Sequence, residues 1–468
     1  MDEIEYSKGF AKELMDAGNF EIAKQVLEKL WNESSKDDMY LLNMYGRALR
    51  KTNESDKFVE ICRDRKRFKT YLSNKYIIST LCWCIYDCYI KEFEYDPDNL
   101  EAFNDFIHRA EFIVDNCVQE DKDNCFINPY VLTIRKVIKV YKGRGTNYRA
   151  MLRWIQYLDP SKLPEDVFKY TDESGVKREN ASLKEFYYQN KSAALEKLGE
   201  YLECIECCED AFSVIQKFHY KNHIWLKERL LYSKCLSADN EKQAEKCLND
   251  YKRFVSKYNY WYMYHKISQY YYVNNKIDDA MFYACKALTI NFNAENMVKL
   301  ILDLGFIFEN KGYLREAEIF FHACSYYRNR NGWIITEELK YKIVEYKIDV
   351  NIKPKTQELQ RICRNVLNKH DRNKRKTGKI KKIFHDKGFG FISYNNSEDL
   401  YFKIKSIADI DIISTGTEVT FEIVEDFEGR KRAIKIKGVK LNGWNIYKCG
   451  WYKSFYRRIW QERKNFWN

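Results

Sequence analysis

The sequence predicts a multidomain chain: an α-helical solenoid of helix hairpins over residues 1–355, followed by a small five-stranded antiparallel β-barrel over residues 377–438. Low counts of proline (5) and glycine (18) among 468 residues favour helices over most of the length. Apolar residues recur at helical spacing up to about residue 355, and after Thr377 they alternate as in strands. A chain of this length exceeds one ordinary core, which agrees with a repeat array joined to a second domain.

The N-terminal sequence MDEIEYSKGF is acidic and lacks the apolar run of a secretory signal. The longest uncharged apolar run, residues 76–86, is too short to cross a bilayer. We therefore expect a soluble, cytoplasmic protein. The 15 cysteines are interpreted as buried thiols rather than disulfides, because residues such as Cys82 and Cys84 fall within apolar helical patterns.

The clearest helix-hairpin signal is the segment LILDLGFIFENKGYLREAEIFFHAC. Gly305 and Ala317 are small where two antiparallel helices must approach closely, and Gly312 turns the chain between them. Phe308 and Phe321 are placed to fill the space between neighbouring helix pairs. This segment therefore predicts one hairpin of the array.

The small residue of the second helix recurs along the chain and gives the register of further copies. In chain order these residues are Cys204, Ala244, Ala280 and Ala317, spaced 40, 36 and 37 residues apart. The segment AKELMDAGNFEIAKQVLEKL near the N-terminus shows the same pattern. These offsets resemble the tetratricopeptide repeat family over about residues 5–345. The resemblance implies a concave surface that holds peptide, protein or nucleic acid, and an irregular helical bundle is the alternative.

One group of residues has spacing close to that of a zinc finger: Cys204, Cys207, His219 and His223. The cysteines lie in a continuous helical pattern rather than on a tight hairpin. At about 1.5 Å per residue, His219 on the same helix would be roughly 18–22 Å from them. We interpret the cysteines as buried thiols and predict neither a metal site nor a cofactor.

A basic hinge is predicted over residues 356–376. Residues 361–468 hold 25 Lys/Arg against 12 Asp/Glu, so the net charge of +12 resides in the last quarter of the chain and points to a polyanion ligand. The first half of the hinge could finish a helix, and KHDRNKRKTG is interpreted as an exposed connector. Its predicted further phosphate contacts are Arg372, Lys374, Arg375 and Lys376. A solvated linker or a nuclear-import signal would explain the same charges.

Five short strands are predicted at about residues 378–384, 388–394, 399–404, 417–424 and 430–437. The residues expected to fill the barrel are Ile392, Leu400, Phe402, Val419, Phe421 and Ile423. Strand alternation then leaves Phe389, Phe391 and Tyr401 outside the interior. Gly388 and Gly390 flank these rings and are interpreted as keeping the surface low enough for a strand of nucleotides to lie close to it. The rings, surrounded by Lys381, Lys382, Lys387 and Lys403, predict a stacking platform for single-stranded nucleic acid.

The segments TGKIKKIFHDKGFGFI and DLYFK resemble the two ribonucleoprotein motifs of the cold-shock domain family, whose fold is a barrel of the OB type. The resemblance implies that Phe389, Phe391 and Tyr401 stack on bases and that Lys381 contacts the backbone. The family's first-strand tryptophan is Lys382 here, and its second-motif histidine is Lys403. These departures imply weaker base preference and steeper salt dependence.

An aromatic-basic tail is predicted over residues 439–468. From Trp451 it could form a helix with aromatic residues along one side. Docking of this side onto the barrel or the array is one interpretation. A second nucleic-acid contact through Arg457 and Arg458 is another, and a membrane-surface helix is the third.

No phosphate-cradling loop, nucleophile elbow or metal-ligand cluster occurs in the sequence, so no catalytic residue is predicted and the protein is not expected to be an enzyme. We predict an adaptor that binds single-stranded RNA or DNA through the barrel and the hinge. The helical array would recruit a protein partner or extend the nucleic-acid groove. A pure protein-interaction scaffold with a degenerate barrel is the alternative, and a nuclease built from scattered acids is a further one.

Overall fold

The computed structural model describes residues 7–64, 66–143, 147–172, 174–394, 398–407, 414–425 and 430–439. The chain forms two compact units, Met1–Tyr258 and Asn259–Asn468. Among the described residues, no helix combines the length and the apolarity that crossing a membrane would require.

The first unit is built from helices that pack mainly on their neighbours in sequence. They are α1 (Lys8–Asp16), α2 (Phe20–Glu33), α3 (Met39–Lys51), α4 (Ser55–Cys62), α5 (Phe68–Ser73), α6 (Lys75–Ile85), α7 (Leu100–Asn116), α8 (Tyr130–Gly143), α9 (Tyr148–Ile155), α10 (Leu183–Leu198), α11 (Tyr201–Val214), α12 (Asn222–Leu236) and α13 (Glu241–Tyr258). Side-chain caps begin several of them; for example, Ser182 Oγ accepts a hydrogen bond from the backbone N–H of Glu185 ahead of α10.

A β-hairpin interrupts this unit, where the sequence predicted helices only. Strands β1 (Phe168–Thr171) and β2 (Lys177–Asn180) pair antiparallel. The turn between them is built by Asp172, whose carboxylate accepts hydrogen bonds from the backbone N–H groups of Ser174 and Val176. Gly175 adopts φ +80, which a side chain would disfavour. These local bonds give the backbone an alternative to helix.

The second unit contains six helices among its described residues: α14 (Trp261–Val273), α15 (Ile277–Leu288), α16 (Val298–Asn310), α17 (Leu314–Arg330), α18 (Glu337–Glu345) and α19 (Thr356–Lys374). The predicted hairpin is α16 and α17, with Gly312 at φ +76 in the turn. A Cβ on Gly305 would lie 2.6 Å from Phe321 Cε1, so this glycine lets the Phe321 ring pack against α16. Phe308 and Ala317 are buried as predicted.

Other hairpins also bring small residues together, twelve positions apart in sequence. Ser268 on α14 donates to the carbonyl oxygen of Ala280 on α15 at 2.8 Å. The Cys204 thiol on α11 donates to the carbonyl oxygen of Ser192 on α10 at 3.4 Å. The array therefore consists of closely packed helix hairpins like those of tetratricopeptide repeats.

The connector predicted inside the basic hinge is wrong, because α19 continues to Lys374 and the next strand begins at Lys376. Leu359 and Cys363 are fully buried, and α19 packs on α15, where His370 stacks on Phe282 with ring centroids 3.9 Å apart. No glycine or proline precedes Gly378 in this segment, so nothing in the sequence ends the helix earlier.

The barrel consists of β3 (Lys376–Phe384), β4 (Phe389–Tyr394), β5 (Glu398–Lys403), β6 (Glu418–Glu425) and β7 (Lys431–Gly438), within two residues of the predicted strands. It closes in the order β3-β4-β5-β7-β6, with β6 pairing back to β3. The predicted five-stranded antiparallel barrel is confirmed, with one exception among its strand pairs: β5 and β7 run parallel. A closed ring of five strands cannot alternate direction throughout, so at least one parallel pair is required.

The barrel core agrees closely with the predicted one. The fully or almost fully buried residues are Ile380, Ile392, Leu400, Phe402, Ile407, Val419, Phe421, Ala433 and Ile436. Ile423, expected inside, is half-buried and packs against this core. The interior is thus filled by a set that excludes Phe389, Phe391 and Tyr401.

Candidate nucleic-acid interface

The outer face of strands β3, β4 and β5 carries two rows of side chains, which the strand register defines. In the first row, Phe389 pairs with Phe384 on one side and with Lys403 on the other. In the second row, Phe391 pairs with Lys382 on one side and with Tyr401 on the other. Directly paired residues project from the same face of a sheet, so these rows form one continuous surface.

Four rings on this surface form what we call the ring cluster: Phe384, Phe389, Phe391 and Tyr401. Ring centroids are 5.6 Å apart between Phe389 and Tyr401 and 6.1 Å apart between Phe391 and Tyr401. Phe384 lies 5.1 Å from Phe389 and 6.5 Å from Phe391. All four rings are half-buried. The structure therefore brings together the three predicted rings and adds a fourth.

Gly390 has a different role from the one the sequence suggested. It faces the barrel interior, where a Cβ would lie 2.5 Å from Phe402 Cζ. This glycine makes room for a core ring and does not lower the outer surface. Gly388 does lie beside the rings, in the turn between β3 and β4, at φ +73. Its carbonyl oxygen accepts a hydrogen bond from the N–H of Ile404 at 2.9 Å, which joins this turn to the end of β5.

A β-bulge explains why Phe384 was missed. The pairing of β3 with β4 shifts between Ile380 and Lys382, so Lys381 is an extra residue without its own partner. The shift resets the alternation of β3 and turns Phe384 to the same face as Phe389. A strict two-residue period counted from Ile380 would have put Phe384 inside the barrel.

Three of the four predicted lysines, namely Lys382, Lys387 and Lys403, have no carboxylate partner among the described residues. Lys387 and Lys403 are exposed, and Lys382 holds its Nζ 4.7 Å from the centroid of the Phe384 ring. Lys381, by contrast, forms an ion pair with Asp399 at 2.6 Å. Lys379 on the same strand lies 3.7 Å from Glu418. Positive charge is therefore concentrated beside the ring cluster and is neutralised farther along β3.

Arg432 is a further cation that sequence reasoning missed. The parallel pairing of β5 with β7 places it directly beside Tyr401, and it is exposed. It thereby extends the second row of side chains onto β7. Nothing in the sequence indicated that β5 and β7 pair, so no local pattern could have identified this residue.

The four residues predicted as further phosphate contacts in the hinge lie in different surroundings in the structure. Arg375 is bonded within the barrel, donating to Thr420 Oγ1 at 2.8 Å and to the carbonyl oxygen of Lys435 at 3.2 Å. These partners belong to β6 and β7, so Arg375 has a structural role in the barrel, and its phosphate contact stays a prediction. Lys376 is exposed at the start of β3. The backbones of Arg372 and Lys374 are helical.

Several predictions lie outside the described residues. They are the side chains of Arg372 and Lys374, the contacts predicted for Arg457 and Arg458, and the tail as a whole beyond residue 439.

Of the four residues with zinc-finger spacing, the two cysteines pack helix α11 against α10. Cys204 and Cys207 lie on α11 and point to α10, where the thiol of Cys207 approaches the carbonyl oxygen of Tyr188 at 4.0 Å. His219 precedes α12 and His223 lies within it. In the described part of the chain, no three His, Cys, Asp or Glu side chains are grouped so that they could hold a metal ion.

Comparison with known proteins gives a family for the barrel. Residues 376–439 match the family described as the 'Cold-shock' DNA-binding domain, so the barrel is a cold-shock domain. Among solved structures, a tetratricopeptide repeat protein from Parabacteroides merdae ATCC 43184 is similar at 13% identity and a TM-score of 0.30. The similarity covers 72% of this chain and 96% of that one. No curated protein matches the chain significantly.

Proposed function

We propose that this protein is a nucleic-acid-binding adaptor whose cold-shock domain holds single-stranded RNA or DNA on the ring cluster. One observation carries the proposal: the barrel interior is already filled, and the rings of Phe389, Phe391 and Tyr401 stand outside it. A base stacked on an aromatic side chain contributes about 1–3 kcal/mol. These three rings lie outside the core and are therefore available to stack on bases.

The phosphates would follow the cations that have no carboxylate partner in the described structure. These are Lys382, Lys387 and Lys403 beside the rings, with Arg432 at the far end of the second row. The Lys381 ammonium would have to leave Asp399 before it could contact a phosphate, so we assign it a minor role. Four phosphate contacts to a single strand predict a salt slope of roughly −2 to −3, at about −0.7 per contact.

Sequence selectivity should be modest, because a ring can stack on any base. The proposed contacts are to base faces and phosphates, which RNA and DNA share. We propose that the helical array recruits a protein partner or extends the nucleic-acid groove, as arrays of helix hairpins offer extended binding surfaces. We also propose that the protein acts by binding and does not catalyse a reaction.

The test is fluorescence anisotropy of labelled single-stranded RNA and DNA with the full chain. Phe389→Ala/Phe391→Ala/Tyr401→Ala should weaken binding at least about a hundredfold if each stack contributes in the stated range. The matched variant with leucine at all three positions keeps apolar side chains and should lose nearly as much. Unchanged affinity in both variants would refute the proposal.

Charge is tested separately through the salt dependence of binding. Lys403→Ala should flatten the salt slope by about 0.7. Lys435→Ala is the matched control, since Lys435 is paired with Glu422 at 3.0 Å and lies outside the two residues of β7 that pair with β5. If the chain binds neither RNA nor DNA, the protein-docking alternative is favoured. In that alternative, the barrel has lost base binding together with the aromatic residue that Lys382 replaces on the first strand. Cleavage of the probes that depends on divalent ions would instead reveal a nuclease.

A further inference from the structure

We infer that Phe384 is a fourth base-stacking position, which supplies the ring that the first barrel strand lacks at Lys382. The inference rests on the proposed function, because it concerns the same surface. It also reverses one sequence expectation, namely that the loss of an aromatic residue from this strand weakens stacking.

Phe384 does not belong to the barrel core that the described residues form. The half-buried apolar residues that pack against the core are Ile383, Tyr394, Ile404 and Ile423, and Phe384 is not among them. Its ring neighbours are Phe389 at 5.1 Å and Phe391 at 6.5 Å, both members of the ring cluster. In the described part of the barrel, the rings that contact Phe384 all belong to this surface, which places it for a ligand rather than for folding.

The bulge at Lys381 is what puts this ring on the platform. Through the shifted register, Phe384 pairs directly with Phe389 in the first row, while Lys382 pairs with Phe391 in the second. The first strand therefore contributes one ring and one cation to the surface, at neighbouring positions. The ring lost at Lys382 is recovered two residues farther along, in the adjacent row.

Lys382 suits this arrangement because its ammonium lies 4.7 Å from the Phe384 ring centroid. At an exposed site, a cation–π contact is weaker than the stacking of a base on a ring. An incoming base would displace the ammonium from the ring, and the flexible lysine side chain would then be free to contact that nucleotide's phosphate. Ring and cation thus form one nucleotide-binding position.

The experiment uses the full chain and the same labelled single strands. Phe384→Ala should weaken binding roughly tenfold or more, as expected for the loss of one stack. Phe384→Leu should weaken it nearly as much, because leucine fills space but offers no ring face. The swap Lys382→Trp/Phe384→Ala returns a ring to position 382 and should restore most of the affinity.

Each outcome decides between ring stacking and simple packing. If Phe384→Leu binds as tightly as the unsubstituted chain, the ring serves only packing and the inference is wrong. If the swap fails to restore affinity, the ring is not interchangeable with one at position 382 and the inference is also wrong. Full affinity in Phe384→Ala, together with loss in the Phe389/Phe391/Tyr401 variant, would overturn this inference while leaving the proposed function intact. Full affinity in both would overturn the two together.

Discussion

Substitution of Gly390 by alanine tests whether β4 turns one face to the filled core and the other to the ring cluster. Gly390 faces the core, and its neighbours in β4, Phe389 and Phe391, belong to the ring cluster. An added Cβ would lie 2.5 Å from Phe402 Cζ and 2.6 Å from the carbonyl oxygen of Lys382. Phe402 is completely buried as a member of the barrel core. The Lys382 oxygen belongs to the paired backbone of β3, so no side-chain rotation removes that contact. Relief requires β3 and β4 to move apart.

The expected cost follows from these two contacts. Overpacking of a core by one carbon costs about 1–3 kcal/mol, and a backbone partner argues for the upper part of this range. Replacement of a strand glycine by alanine returns roughly 0.5–1 kcal/mol through reduced chain entropy. The net loss should be about 2 kcal/mol, equivalent to roughly a thirtyfold shift in the opening equilibrium, at 1.4 kcal/mol per tenfold.

Hydrogen–deuterium exchange of the full chain, read by mass spectrometry, measures this shift strand by strand. Amides of β3 and β4 should exchange roughly thirtyfold faster in Gly390→Ala, while peptides from the helical array report unchanged protection. Gly438→Ala is the matched control, since a Cβ there would have no heavy atom within 4 Å. Equal exchange in the two variants would show that Gly390 is not packed against the core as described.

Three further outcomes follow from other contacts. Gly305→Ala should destabilise the array by about 1–3 kcal/mol in urea unfolding, because the added Cβ would lie 2.6 Å from Phe321 Cε1. Gly9→Ala in α1 is the control and should leave the stability unchanged, because its Cβ would make only an ordinary contact. Alkylation of the native chain should label exposed Cys88 well before Cys207, because burial raises the pKa of the Cys207 thiol to about 12. Equal labelling of the two thiols would contradict the packing of α11 on α10. The free energy of unfolding should fall as the pH rises above about 10, because burial raises the pKa of Tyr251 well above its usual value. Above that pH the unfolded chain loses a proton that the folded chain keeps. Tyr251→Phe should flatten this fall in pH-dependent denaturation.

The helical array could be predicted where the sequence placed small residues at the point where two helices cross. Gly305 and Ala317 are such a pair, and the structure shows why size matters there, since Phe321 packs directly against Gly305. The β1–β2 hairpin could not be predicted from periodicity, because it depends on the hydrogen bonds of a single side chain, Asp172. Local capping chemistry of this kind does not alter the apolar pattern.

The barrel interior could be predicted from alternation, but only as long as the alternation was regular. Ile392 and Phe402 were correctly placed inside, since β4 and β5 pair without interruption. Along β3 the extra residue Lys381 changes the face on which every later side chain lies. Bulges follow from the curvature that closure imposes on a strand, so they are set by the whole barrel rather than by the bulged sequence. The same holds for Arg432, whose place beside Tyr401 depends on the parallel seam.

The basic segment shows how a structural role can look like a binding role in sequence. Its charges suggested a phosphate-contacting arm, yet α19 is anchored through Leu359 and Cys363, and Arg375 donates to Thr420 Oγ1 and to a carbonyl oxygen of β7. A guanidinium held by two acceptors within the barrel is less available to a nucleic acid than an exposed lysine such as Lys403. Removal of Arg375 should therefore lower the stability of the barrel more than it changes the salt slope of binding, because its bonds join the start of β3 to β6 and β7. Substitution of Lys403 should have the opposite pattern, and the two measurements together separate the charges that hold the fold from those proposed to hold the ligand.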